Sequence, residues 1–233
     1  MVAVLTTKQK DIVVLIPTLN EAKAIGQTVV DVFDNVPNCQ VLILDSYSIN
    51  GTADEARDKG AVVINAVKGG KGIALRSVLP QIIVSYQADY YVMIDGDFTY
   101  PAKHLPQIIR SLDNGADVVI GYRNKRAKGS MSCTNKLGNW GLSMLASILY
   151  GVYVKDVCSG MWGFRRSVLS RYELSSNGFT LEADLFTNTV KGKYKLVQIP
   201  IEYRARLDGS VAKLNIQDGF KIGSFLIKKR FSQ

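Results

Sequence analysis

The chain has 233 residues, 47% of them hydrophobic, and a formal net charge of +9. That length suits one large α/β domain or two small ones, with ample material for a core. A single histidine, His104, and three scattered cysteines, Cys39, Cys133 and Cys158, argue against zinc chemistry and a Ser-His-Asp triad, and favour a reduced compartment.

In chain order, residues 11–16 form a continuous apolar run that predicts a strand, closed by Pro17-Thr18-Leu19-Asn20-Glu21. Residues 22–33 carry apolar side chains at helical spacing. Residues 41–44 predict a second strand, closed by Asp45, and residues 61–64 a third. Lys68-Gly69-Gly70-Lys71-Gly72 then opens a helix over residues 73–84. It lacks the spacing of a Walker A loop. A Gly-rich, Lys-bearing helix start suits a phosphate, and it equally suits a flexible turn.

The fourth strand, residues 90–94, runs into Asp95-Gly96-Asp97. Two carboxylates two residues apart at a strand's exit can share one hard divalent cation, Mg²⁺ or Mn²⁺, which takes oxygen ligands and keeps substrate phosphates in its shell. A shorter helix over residues 104–112 and a fifth strand over 117–121 follow. Short apolar runs alternating with helices predict an open, mostly parallel sheet flanked by helices. Ligands of such sheets bind beyond the carboxyl ends of the strands, where Glu21, Asp45, Asp95 and Asp97 all fall.

The second half is more basic. Residues 121–136 hold five cations and no acid. Residues 137–154 carry no charge, yet they are too polar for a membrane span and predict a buried or interfacial helix over 137–150. An apolar run at 196–201 precedes Arg204 and Arg206, which alternation along an extended segment would point at one ligand. A basic amphipathic helix is expected over 216–229, with Phe220, Ile222, Phe225, Leu226 and Ile227 on its apolar side. Basic segments beside apolar helices fit a membrane surface, and no nucleic-acid motif accompanies the charge. Lys8 and Lys10 lead straight into a strand, so no secretory leader is expected. The organisation read here is one domain over residues 1–215 and a membrane-contacting helix over 216–233.

Three segments together resemble the donor-site motifs of family 2 glycosyltransferases of the GT-A fold: Pro17-Thr18-Leu19-Asn20-Glu21, the Asp45-Ser46-Tyr47-Ser48-Ile49-Asn50-Gly51-Thr52 turn, and Asp95-Gly96-Asp97. Asp156-Val157-Cys158-Ser159-Gly160-Met161-Trp162-Gly163-Phe164-Arg165-Arg166, the segment from Gly178 to Asp184, and Ile199-Pro200-Ile201-Glu202-Tyr203-Arg204 are similar to polyprenyl-phosphate sugar synthases, the dolichyl-phosphate mannose and glucose synthases among them. The resemblance implies a Rossmann-like GT-A sheet and transfer of a hexose from GDP-mannose or a UDP-hexose to dolichyl or polyprenyl phosphate, with inversion and with Mg²⁺ or Mn²⁺. It implies a peripheral enzyme on the cytoplasmic face of a membrane. The donor would meet Pro17, Thr18, Glu21, Asp45, Ser48, Lys71 and Asp95, and the metal Asp95 and Asp97. Asp97, Arg123 and Glu182 would carry catalysis, with Asp184 an alternative to Glu182 as base. Arg123, Arg126, Arg204 and Arg206 are the candidate clamps for the acceptor phosphate.

The turn after Asp45 departs from the family pattern, with Ser46 for its second Asp and Tyr47 for its first Gly, which leaves the donor base open. Thr99 stands where a Gln often follows D-x-D and would be a weaker third ligand. Two other readings stay open: a family 2 transferase acting on a glycan or a diphosphate-linked lipid, and a non-catalytic membrane or nucleic-acid module on a GT-A scaffold. A nucleotidyltransferase is disfavoured by the motif order.

Overall fold

A computed structural model describes residues 11–207 and 216–232; Lys8, Lys10, Asp208 and Lys213 lie outside the described residues. One seven-stranded sheet is built from β1 (Ile12–Thr18), β2 (Cys39–Asp45), β3 (Val62–Asn65), β4 (Tyr90–Met93), β5 (Val118–Arg126), β6 (Trp162–Arg165) and β7 (Leu196–Tyr203). Their order is β3-β2-β1-β4-β6-β5-β7. All neighbours pair in parallel except β6, which runs antiparallel between β4 and β5. The helices are α1 (Ala22–Asn35), α2 (Thr52–Asp58), α3 (Lys71–Ser85), α4 (Leu105–Asp113), α5 (Cys133–Tyr150), α6 (Arg166–Leu169), α7 (Leu181–Lys191) and α8 (Ile216–Phe231).

Successive side chains on a strand point to opposite faces, and both faces of this sheet are covered. Val13 and Leu15 belong to one core with apolar residues of α3, α5, α7 and α8. Val14 and Ile16 belong to a second core with those of α1, α2 and α4. This is why β1, β2 and β4 read as unbroken apolar runs rather than alternating ones. Each large side chain so buried stabilises the fold by about 1.5–3 kcal/mol.

β6 was not predicted. It has four residues, and its Gly163 lies under α4, where a Cβ would run into Ile108 Cγ2. β5 extends five residues past the expected strand, because its far end pairs with β7 as far as Arg126 and Tyr203. The terminal helix is also used differently from the expectation. Ile222 and Leu226 are buried in the core, Phe225 is half-buried, and only Phe220 and Ile227 of the named apolar side are exposed. Tyr150 donates its hydroxyl to the Leu226 carbonyl at 3.0 Å, and Arg230 Nε donates to the Leu149 carbonyl at 2.7 Å, fixing α8 on α5.

Candidate active site

The carboxyl ends of β1, β2 and β4 converge. Asp45, at the end of β2, is buried and accepts hydrogen bonds from the Ser48 N–H at 2.9 Å, the Ser48 hydroxyl at 2.5 Å and the Thr18 hydroxyl at 3.3 Å. Thr52 Oγ1 accepts the Glu21 N–H at 2.8 Å, and Ser48 Oγ accepts that of Asn20 at the same distance. The two loops after β1 and β2 are thus stitched into one rim. Tyr47 sits in that rim at φ 60°. This is the left-handed region that a glycine enters freely and other residues seldom adopt.

Beyond β4 lies a cleft of about 180 Å³. Asp95 Oδ1 accepts a charged hydrogen bond from Lys71 Nζ at 2.6 Å, and Lys71 also bridges to Glu182 at the start of α7. Burial alone would depress the Lys71 ammonium, but the Asp95 and Glu182 carboxylates outweigh it and hold the group charged well above an ordinary lysine. Burial raises the Glu182 carboxyl, with Lys71 opposing the rise. Asp97 Oδ1 accepts the Thr99 N–H at 3.1 Å and the Thr99 hydroxyl at 2.5 Å, while Oδ2 pairs with Arg206 Nη1 at 2.6 Å. Gly160 lies directly beneath Asp95: a Cβ there would stand 2.6 Å from Asp95 Cγ. Its N–H donates to the Tyr100 hydroxyl at 2.7 Å.

Of the predicted donor residues, Pro17, Thr18, Glu21, Lys71 and Asp95 line the cleft, together with Asp97 and Glu182. Asp45 and Ser48 do not line the cleft but hold its rim together, and Ser46 lines the cleft in their place. The arginines part company. Arg123 and Arg206 line the cleft, but Arg123 is 8% exposed and its fork grips Asp156, with Nε and Nη2 each at 2.7 Å. The geometry expected to hold a phosphate is therefore occupied by Asp156. Arg204 turns away to Asp31 at 3.0 Å and stacks over Phe98 at 4.4 Å, because β7 ends at Tyr203 and strand alternation stops there. Arg126 lies outside the cleft. Asp184 is wholly buried and held by the Ser175 and Ser176 N–H groups and by Lys229 Nζ at 3.1 Å, so it is not placed to act as a base. Thr99 supports Asp97 instead of offering a third ligand.

The reading from sequence missed an aromatic wall. Tyr100 and Tyr203 meet edge to face at 5.1 Å, and Arg123 lies 5.2 Å from the Tyr203 ring. Burial raises the Tyr100 phenol far above its ordinary value, with Arg123 opposing, so it stays a neutral hydrogen-bonding group. Phe179 and Ile222 also line the cleft, brought in by the turn before α7 and by α8. The signal that could have found them is their place in the sequence: Tyr100 shortly after Asp95-Gly96-Asp97, and Tyr203 within the segment from Ile199 to Arg204.

Asp95 and Asp97 fit a hard divalent cation. Among the described residues no cluster of three or more His, Cys, Asp or Glu is placed to hold one. The pair would therefore supply two carboxylates and leave the rest of the shell to substrate oxygens and water, as Mg²⁺ sites in phosphate chemistry do.

The family model described as glycosyl transferase family 2 matches residues 13–173. Glycosyltransferase AglJ of Haloferax volcanii is 34% identical over 208 residues, 88% of this chain and 67% of that protein. A dolichyl-phosphate hexose transferase of the same organism is 31% identical over 220 residues, 94% of this chain and 93% of that protein. Among solved structures, glucosyl-3-phosphoglycerate synthase from Mycobacterium tuberculosis, in complex with UDP, aligns with a TM-score of 0.72 at 20% identity over 95% of this chain and 79% of that one. The same enzyme with Mn²⁺, UDP-glucose and glycerol 3-phosphate also gives 0.72, at 19% identity, covering 94% and 78%. At such identities the likeness speaks for the fold alone. A D-x-D cleft at the carboxyl edge of a mostly parallel sheet, a family match over most of the length and these relatives agree: the chain belongs to glycosyl transferase family 2 and is a glycosyltransferase of the GT-A fold.

Proposed function

We propose that the enzyme transfers a hexose from a nucleotide-diphosphate sugar to a polyprenyl phosphate such as dolichyl phosphate, inverting the sugar's anomeric centre. The observation that carries this reading is the cleft in which Asp95, Asp97, Lys71 and Arg206 meet at the strands' carboxyl edge. The likeness to a dolichyl-phosphate hexose transferase, over nearly the full length of both chains, supports the acceptor. A divalent cation, Mg²⁺ or Mn²⁺, on Asp95 and Asp97 would neutralise charge developing on the leaving diphosphate.

The chain's own residues do the rest. Pro17, Thr18, Glu21 and Ser46 form the wall against which the nucleoside lies, with Asp45 and Ser48 holding that wall in place. Lys71 stands at the start of α3, where its ammonium and the helix N–H groups both favour phosphate. The acceptor needs little activation: a phosphate monoester has a second pKa near about 6 and is largely dianionic at neutral pH. Positioning by cations therefore matters more than a general base, which suits a site whose Glu182 is already paired with Lys71. Of the four candidate clamps Arg206 has access to substrate, and its pairing with Asp97 puts it on the donor's side of the cleft; Arg123, locked on Asp156, stiffens the wall behind the acceptor.

The reading also places the enzyme peripherally, on the cytoplasmic face of a membrane. Leu137, Trp140, Met144 and Ile148 are exposed at helical spacing along α5, and Phe220, Ile227 and Phe231 along α8. Lys136, Lys228 and Arg230 stand beside them. Such apolar and basic surfaces together favour an anionic lipid surface. Among the described residues no helix is long and apolar enough to cross a membrane.

The test is to incubate the protein with a panel of UDP- and GDP-sugars, dolichyl phosphate and Mg²⁺ or Mn²⁺, and to weigh the lipid product. A glycosylated lipid phosphate is expected. Sugar transfer to a glycan or a diphosphate-linked lipid, but never to the monophosphate, would refute the acceptor.

A further inference from the structure

Each carboxylate that would hold a metal is already paired with a cation of the chain itself. Asp97 Oδ1 is filled by the two donors of Thr99, so the oxygen left for a cation is Oδ2, and Arg206 Nη1 holds it at 2.6 Å. The Asp95 carboxylate lies over Gly160, where there is no room for a Cβ, and its Oδ1 is held by Lys71 at 2.6 Å. Both cations have room to move. The Lys71 side chain is 20% exposed and that of Arg206 28% exposed. Lys71 retains a second anchor, Glu182, when it releases Asp95. An ammonium on a flexible four-carbon stem suits such a move.

We propose that Lys71 and Arg206 are exchangeable counter-ions, which pair with Asp95 and Asp97 while no metal is bound, yield these oxygens to an entering divalent cation, and turn to the diphosphate of the donor. The proposal rests on the metal assignment above. It gives the site an order. Metal alone has to displace two internal ion pairs, so it binds weakly. A nucleoside diphosphate offers the displaced cations new partners, so each ligand strengthens the other, and by linkage to the same degree.

The experiment is a Mn²⁺ titration of the full chain by electron paramagnetic resonance, without nucleotide and with UDP or GDP. The proteins are wild type, Lys71→Met and Arg206→Gln. Each variant should bind Mn²⁺ alone about tenfold more tightly than wild type, and each should gain less from added nucleotide. In chelator, Lys71→Met should melt below wild type, and Mn²⁺ should restore it. If wild type binds Mn²⁺ and the variants bind it no better, the exchange is overturned while the metal assignment stands. If none of the three binds Mn²⁺, with or without nucleotide, both fall. Should Lys71→Met fail to fold, Arg206→Gln decides the question, since its guanidinium stands nearer to solvent.

Discussion

Asp97 is 5% exposed, but its partner Arg206 can rehydrate when released. Asp97→Asn should therefore lower transfer by about 100-fold or more and shift the melting temperature by only a few degrees. Full activity of the variant, or wild-type activity in excess chelator, would count against the metal role. Asp156 is the opposite case. Burial alone would raise its carboxyl, and the Arg123 guanidinium overcomes this and holds it below its ordinary value of 3.8. Asp156→Ala leaves a buried guanidinium unpaired and should cost about 3–5 kcal/mol by urea denaturation; a loss well under 1 kcal/mol would mean that Arg123 finds another partner.

His104 supplies a pH effect. Its Nε2 accepts the Glu202 N–H at 3.0 Å, and burial, aided by Lys103, keeps the imidazole below its ordinary 6.5. The unfolded chain takes up this proton first, so the contribution is complete above about pH 6.5 and is lost as the pH falls through the lower folded value. Melting temperatures from about pH 7.5 to about pH 5.5 should fall more steeply in wild type than in His104→Gln, which keeps an acceptor without the titration. Equal slopes would remove His104 from the account. At this scale the sequence is legible where a charged residue directly follows an apolar run or a Gly-rich turn, as do Asp95, Asp97 and Lys71. It is silent where the partner is remote: nothing local says that Arg204 belongs to Asp31, 173 residues away.

At the scale of elements, the strands buried on both faces could be read from their apolar runs, and α1 from its spacing, since Ile25, Val29 and Val32 form one stripe. α7 could not, because it is buried nearly all round from Leu181 to Thr187 and so shows no polar face. β6 was hidden by its brevity and by Gly163. The exposed stripe on α5 leads to a further test. Leu137 and Trp140 are 68% and 62% exposed, so replacing both by Glu should leave the melting temperature unchanged. The same change should abolish sedimentation with vesicles rich in phosphatidylglycerol. Unaltered sedimentation would direct attention to α8.

For the whole molecule, the net charge of +9 works at longer range than any one contact. Attraction to anionic vesicles should weaken steadily with added salt, since the Debye length shrinks from about 10 Å at 0.1 M to about 3 Å at 1 M. Equal binding to neutral and anionic vesicles at low salt would leave the charge without that role. The position of β6 bears on how the molecule is made. It lies between β4 and β5 in space but follows both in the chain, with Val92 and Val119 each in register with Gly163. A nascent chain that has emerged only as far as Tyr150 leaves β4 with an open edge and β5 without either of its sheet partners, β6 and β7, and unpaired strand edges are templates for pairing between molecules. A fragment ending there should aggregate where the full chain does not. The same delay governs when chemistry begins: Gly160, the seat on which Asp95 rests, enters with the late strand, so an unfinished chain on the ribosome has motifs but no working donor site.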